Sequence, residues 1–293
     1  MNKYSSGRAF RQALETRIKN IQQSENIPLV RLRKQIAFER LIARLQTSHP
    51  DTWILKGGLA IQLRLGLQSR TTKDIDLLRR EQTGDIFDSL VKAASLELGD
   101  WFTFDVGNAV IEPEDDFGGF RFPITCLLDG RVFERFHVDV GTGDQLLGDP
   151  DYIHFDPFLE FAGIPPVNVP CYPIPQQIAE KFHALTREYM SSQSTRGKDF
   201  VDILLLAGLG NIDGKSFSQA IVSTFKKRGT HPIPPTIPSF SRTINREYTR
   251  IADEVGLISK DFETAEKALA AFINPVLRCE NPGTWNPDNW GWE

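Results

Sequence analysis

Three aspartates make the first chemical suggestion in this chain. Asp74 and Asp76 stand two apart in Thr71-Thr72-Lys73-Asp74-Ile75-Asp76-Leu77, and Asp139 sits in Phe136-His137-Val138-Asp139-Val140. On a strand, residues two apart point to one face. Asp74 and Asp76 then project together while Ile75 and Leu77 enter the core. Neighbouring carboxylates are costly to ionise side by side, and a divalent cation, Mg²⁺ or Mn²⁺, relieves that cost. If the strand carrying Asp139 pairs beside the first, three carboxylates converge. Two ions ~3.5–4 Å apart could then clamp the attacking and leaving oxygens of a phosphoryl or nucleotidyl transfer. The residues also have a plain reading: Asp-x-Asp is common in loops, and Asp139 can be a solvated strand edge before Gly141-Thr142-Gly143.

Gly57-Gly58, after Trp53-Ile54-Leu55-Lys56, meets another requirement of such chemistry. Glycines let backbone N–H groups approach a triphosphate, and a helix beginning there adds its positive end. Alone, Gly-Gly is only a turn. Neither Gly-x-x-x-x-Gly-Lys-Ser/Thr nor a strand-linked Gly-x-Gly-x-x-Gly occurs, which disfavours a P-loop ATPase and a dinucleotide oxidoreductase. Further along, Ile178, Phe182, Leu185 and Tyr189 form an apolar helical stripe with Lys181 on its flank. Lys181 either leans toward a phosphate or snorkels into water, and His183 falls on the polar side as a surface histidine. Asp199 and Asp202 share one face of a helix opening at Arg196-Gly197-Lys198, where acidic residues are also ordinary dipole partners.

The elements that must hold these groups follow from periodicity. Apolar spacing predicts helices at 8–24 and 28–47 and strands at 74–78, 102–106, 120–127 and 131–140, the last two joined by an Asp129-Gly130 hairpin turn. Leu59, Ile61, Leu63 and Leu65 fit either a strand or a helix starting at Gly58. Glu112–Asp116 reads as a solvated loop. After a Gly/Pro/Asp-rich connection everything reads helical, at 175–190, 197–209, 215–228, 241–256 and 260–274, and the Trp285–Trp292 ending is expected to pack as a cap. The predicted organisation is a catalytic α/β lobe at 1–150, a connection at 151–174 and a helical lobe at 175–293.

Composition sets the outer limits. The 293 residues are 40% hydrophobic and 25% charged, with a mean hydropathy of -0.28, enough apolar content to exclude global disorder. No run approaches the ~18 apolar residues of a membrane span, and three widely spaced cysteines without a Cys-x-x-Cys pair argue against a disulfide scaffold or a cysteine zinc site. These features predict a cytoplasmic protein with no membrane partner. The net charge of -4 conceals 16 Lys and Arg against 6 Asp and Glu in residues 1–80. Arg31, Arg33, Lys34, Arg40 and Arg44 supply much of this. They mark either a face that meets a polyanion or a solvated arginine-rich helix.

These pieces in this order resemble the AbiEii/AbiGii toxin family of the nucleotidyltransferase-like superfamily. The resemblance runs from Trp53–Ala60 and Arg70–Leu77 through Val138–Val140, Phe161–Pro166 and Tyr172-Pro173 to Ile178–Leu185 and Arg196–Asp202, about residues 30–210. It implies an α+β fold, a nucleotidyltransferase-type mixed sheet with flanking helices followed by a helical lobe. It also implies that Gly57, Gly58, Asp74 and Asp76 bind nucleotide and metal, with Lys56, Thr72 and Asp202 in the binding set. Lys181 and Asp199 take the family's catalytic lysine and aspartate, and Asp139 suits the superfamily's third carboxylate. Relatives often carry Gly-Ser where Gly58 stands here, so that hydroxyl is missing, while Thr72 keeps one. The implied activity transfers a nucleotide from a nucleoside triphosphate (NTP) to an RNA 3′ end, the transfer RNA (tRNA) acceptor in some members, which blocks translation; a cognate antitoxin is the implied partner. A protein or small-molecule hydroxyl as acceptor, a degenerate binding module and an Asp-x-Asp glycosyltransferase are the alternatives.

Overall fold

The computed structural model describes residues 3–66, 69–80, 85–111, 119–141, 145–187, 196–257, 261–279 and 281–293. Two compact units emerge. The first comprises residues 1–64, 71–146 and 150–172; the second comprises 65–70, 147–149 and 173–293.

In the first unit, helix α1 (Gly7–Glu25) starts where the Ser6 hydroxyl accepts the Ala9 N–H at 3.3 Å and stops at Asn26 in the left-handed region (φ 54). Helix α2 (Leu29–Ser48) follows Pro28 and is buried along most of its length. That burial answers the question of its positive charge. Arg44 donates to both oxygens of Asp100 (2.8 and 3.0 Å) and to the Phe102 carbonyl, and Arg40 donates to Asp100 at 2.7 Å. Arg33 pairs with Glu15, while Lys34 donates to the carbonyls of Lys73 and Arg135. Much of the charge expected on an exposed face is therefore spent inside the fold.

The sheet of this unit runs β3 (Phe102–Val106), β5 (Phe120–Leu128), β6 (Arg131–Gly141), β2 (Ile75–Arg79), β1 (Trp53–Lys56), β8 (Asn168–Cys171), β7 (Asp151–His154), with β4 (Val110–Ile111) beside β5. It is mixed: β2 pairs parallel with β6 and β1 parallel with β8, and the other pairs are antiparallel. Asp129 (φ 51) and Gly130 (φ 68) form the tight turn of the β5–β6 hairpin. Helix α3 (Gly57–Leu65) resolves the ambiguous Leu59–Leu65 stretch in favour of a helix, and α4 (Ile86–Ala94) covers apolar sequence for which no element was expected.

Residues 151–174, expected as a connection, contribute the strands β7 and β8, because Val169 and Cys171 are fully buried against the sheet. The second unit is mostly helical: α5 (Ile174–Thr186), α6 (Gly197–Ala207), α7 (Gly214–Arg228), α8 (Arg242–Val255) and α9 (Phe262–Arg278). It also holds a small sheet of β9 (Ile212–Asp213), β10 (Thr284–Asn286) and β11 (Gly291–Trp292), so the expectation of helices alone is corrected. Trp285 is fully buried with its indole N–H on the Ala207 carbonyl at 2.8 Å, and Trp290 and Trp292 donate to the carbonyls of Ala268 and Phe272. The tryptophan-rich ending thus caps the helices of its own unit. Glu112–Asp116, Thr142, Gly143 and Tyr189 lie outside the described residues. No helix among the described residues is long and apolar enough to cross a membrane.

Candidate active site

The first unit gathers charge in one row across its sheet. Cross-strand neighbours place Arg121 (β5) opposite Asp139 (β6), Asp139 beside Asp76 (β2), and Asp76 opposite Lys56 (β1). Directly paired residues point to the same face, so two carboxylates stand side by side with a cation at either end. Buried Val138, Val140, Ile75 and Leu77 occupy the opposite, core-facing side, which is why the alternating sequence delivers the charges together.

Asp74, just before β2, accepts from the His137 backbone N–H at 3.3 Å, with the His137 ring Nδ1 also at 3.3 Å. Arg121 binds Asp139 with two hydrogen bonds, Nε to Oδ1 at 2.8 Å and Nη2 to Oδ2 at 2.7 Å, and lies 3.6 Å from Asp74 Oδ2. Of the three aspartates foreseen as a group, Asp74 and Asp139 share the Arg121 guanidinium, and Asp76 stands beside Asp139 across the β2–β6 ladder. Among the described residues, no group of three or more His, Cys, Asp or Glu side chains is disposed as ligands of one metal ion.

Gly57 and Gly58 stand against the same carboxylate. Gly57 adopts φ +64, and a Cβ there would lie 2.0 Å from Asp76 Oδ2, so both the backbone conformation and the available space require glycine. The Gly58 N–H points to Asp76 Oδ2 at 3.4 Å, placing the carboxylate at the start of α3. Lys56 lies over the Tyr172 ring at 5.8 Å. Thr72 is buried and its hydroxyl donates to the Asp74 carbonyl at 3.3 Å, bracing the turn that leads into β2.

Lys181, Asp199 and Asp202 form a second cluster, in the second unit. Lys181 Nζ is 2.9 Å from Asp199 and 3.0 Å from Asp202. Asp202 also takes Arg70 in two bonds of 3.0 and 2.8 Å, and Arg196 reaches Asp199 at 3.2 Å. The lysine side chain is 15% exposed and both aspartates are buried, so Lys181 does not snorkel. Burial disfavours its charge, but the carboxylates of Asp199 and then Asp202 outweigh it and raise the lysine above its ordinary value. Asp202 is held below the usual carboxylate range, because Lys181 and Arg70 overcome the opposing effect of burial.

His183, expected at the surface, is buried: its ring bonds Thr230 at 2.9 Å and packs on Phe225 and His231. Desolvation, with His231 and nearby arginines, pushes it down to about 3. The correction arises because α7 and the His231 segment cover a helix face that looked polar in isolation.

Sequence reasoning missed Arg121 and Arg70 as site residues. For Arg121 a signal existed in the Phe120-Arg121-Phe122 alternation, but its partner was hidden by a β-bulge. The register shifts by one between Cys126 and Leu127. Without that shift, the hairpin turn would set Arg121 opposite Val138.

A family model for the nucleotidyl transferase AbiEii toxin of type IV toxin–antitoxin systems matches residues 40–272, most of the chain. The chain belongs to the AbiEii family. As a member it is a nucleotidyltransferase and the toxin of a toxin–antitoxin system. Among solved structures, the AbiEii chain is similar to MenT4, a nucleotidyltransferase toxin of Mycobacterium tuberculosis. They share 14% identity over 90% of this chain and 99% of that one, with a TM-score of 0.53, a likeness of fold. JHP933 of Helicobacter pylori overlaps 82% of this chain and 97% of its own at 16% identity, with a TM-score of 0.39. No curated protein matches the sequence significantly. The mixed sheet with flanking helices is thus the AbiEii nucleotidyltransferase fold expected from the motifs.

Proposed function

We propose that this AbiEii toxin transfers a nucleotide from an NTP to the 3′ end of an RNA, the tRNA acceptor, and so blocks translation in the cytoplasm until a cognate antitoxin restrains it. The observation that carries the reading is the charged row, in which Asp76 and Asp139 are adjacent, Asp74 shares Arg121 with Asp139, and a glycine-lined helix start abuts Asp76.

The donor chemistry suits a hard divalent ion on Asp74 and Asp76. Such an ion would neutralise the triphosphate and make its α-phosphorus more electrophilic. The chain's own groups supply the rest. Backbone N–H groups at Gly57 and Gly58, with the Lys56 ammonium, offer donors to phosphate oxygens. Asp139, oriented by Arg121, accepts a hydrogen bond from the attacking 3′-hydroxyl. Lys181, whose ammonium Asp199 and Asp202 hold in place, takes the role of the catalytic lysine that the family motif implies. One P–O bond forms to the RNA, the bond to pyrophosphate breaks, and the hydroxyl proton passes to solvent.

One observation favours a smaller acceptor: Arg33, Lys34, Arg40 and Arg44 have intramolecular partners, which leaves fewer cations for a polyanion. Salt dependence separates the readings, since phosphate contacts to RNA give a steep slope and a small hydroxyl substrate does not. The direct test incubates the protein with total RNA and each labelled NTP in turn, alongside Asp74→Ala. Labelled RNA is expected from the wild type only. Equal labelling by a folded Asp74→Ala protein refutes the assignment.

A further inference from the structure

Arg121 occupies an unexpected position for a two-ion site. An ion on Asp139 would have to share its oxygens with a cation already in place, because each oxygen of Asp139 accepts a guanidinium N–H, at 2.8 and 2.7 Å. Such a fork matches the carboxylate plane and is among the stronger protein hydrogen-bonded pairs. The same guanidinium stands 3.6 Å from Asp74 Oδ2, so it sits between the two carboxylates that a second ion would bridge. A divalent ion on Asp139 would face this fixed positive charge across a single carboxylate, and like charges at that range repel. The pairing is built into the backbone: the β5–β6 register after the Cys126/Leu127 shift puts Arg121 opposite Asp139, and the β2–β6 register puts Asp139 beside Asp76. Asp76 is held differently, against Gly57 and the Gly58 N–H.

We propose that the Arg121 guanidinium takes the place of one of the two cations, so that the site holds a single divalent ion, on Asp74 and Asp76, with Asp139 as the counter-ion of Arg121. The proposal rests on the nucleotidyl-transfer reading above and refines it: Arg121 is a positioning residue that fixes Asp139 and sets the metal count. The two-ion arrangement expected from the carboxylates alone does not fit a protein in which the third carboxylate is already neutralised.

The test counts ions rather than turnover. Full-length protein, in slight excess over each of the four α,β-imido nucleoside triphosphates, is titrated with Mn²⁺ and examined by electron paramagnetic resonance. Wild type is expected to saturate at about one Mn²⁺ per bound nucleotide with the six-line spectrum of an isolated ion. Arg121→Gln frees Asp139 and is expected to take about twice as much Mn²⁺, with the exchange-broadened spectrum of a close pair. Arg121→Lys, which keeps one charge at the site and guards against a folding defect in the Gln variant, is expected to stay at one.

A coupled pair in the wild type overturns the inference and leaves nucleotidyl transfer standing. So does a folded Arg121→Gln protein that still binds one ion. If the wild type binds no Mn²⁺ with any of the four analogues, the metal-assisted reading itself fails, and the single-ion site fails with it.

Discussion

Removing the Asp202 charge tests the cluster around Lys181 most sharply. Asp202 is fully buried and accepts three charged hydrogen bonds, two from Arg70 at 3.0 and 2.8 Å and one from Lys181 at 3.0 Å. Asp202→Asn keeps the shape but turns one oxygen into a donor that faces donors. It also takes from two part-buried cations, Arg70 and Lys181, the carboxylate they share. Breaking a buried pair from one side costs about 3–5 kcal/mol, and that is the loss expected at pH 7. The sign with pH follows from the shifts. Asp202 is depressed, so its contribution is present above the ordinary carboxylate value and is lost as pH falls through its lower folded value. Lys181 is raised, so its contribution is present below the ordinary lysine value and is lost only in strong alkali. Both are in force at neutrality. Urea unfolding followed by tryptophan fluorescence provides the measurement. The exposed pair Arg250–Glu254 serves as the control, because Glu254→Gln should cost under about 0.5 kcal/mol. A change below about 1 kcal/mol for Asp202→Asn would refute the buried-network argument.

Gly57→Ala should destabilise by about 2–5 kcal/mol, combining a left-handed residue at ~1–2 kcal/mol with overpacking against Asp76 at ~1–3 kcal/mol; an unchanged denaturation midpoint would contradict the close approach. His183 is pushed down to about 3, so folding excludes a proton that the unfolded chain takes up. Stability should therefore decline as pH drops from about 6.5 toward 3, and His183→Gln should flatten that part of the midpoint–pH curve. Glu39 works in the opposite direction: burial raises it to about 7, so its favourable contribution is full below the ordinary glutamate value and is lost as pH climbs to about 7. Glu39→Gln should gain stability relative to wild type at pH 8 and gain less at pH 5, which paired urea titrations can check. Trp285→Ala removes a fully buried ring and its bond to Ala207, and should cost about 3–5 kcal/mol by the same measurement.

Local chemistry made much of the architecture legible. Helices α1 and α2, the Asp129-Gly130 hairpin and the strand carrying Asp76 follow from apolar period and turn residues, which depend on neighbours a few positions away. The alternation that turns Asp76 away from Ile75 and Leu77 follows from the same short-range rules, whereas the need for glycine at position 57 comes from the approach of Asp76, which only the fold supplies. What the tertiary structure alone decided are the pairings between distant segments. The alternation at 59–65 was compatible with two structures, and packing of Leu59 and Ala60 into the core selected the helix. The positive charge of α2 looked available to a polyanion until Asp100 claimed Arg40 and Arg44. His183 looked exposed until α7 covered it.

Arg121 meets Asp139 because one extra residue in β6 shifts the ladder by a single step, and a one-residue slip in a strand reverses which side chains face each other. Composition and spacing therefore determined which charges this protein carries and which of them lie close along the chain. The partner of each charge was decided by register and burial, because a hydrogen bond between residues 18 or 132 positions apart depends on where the whole fold returns the backbone.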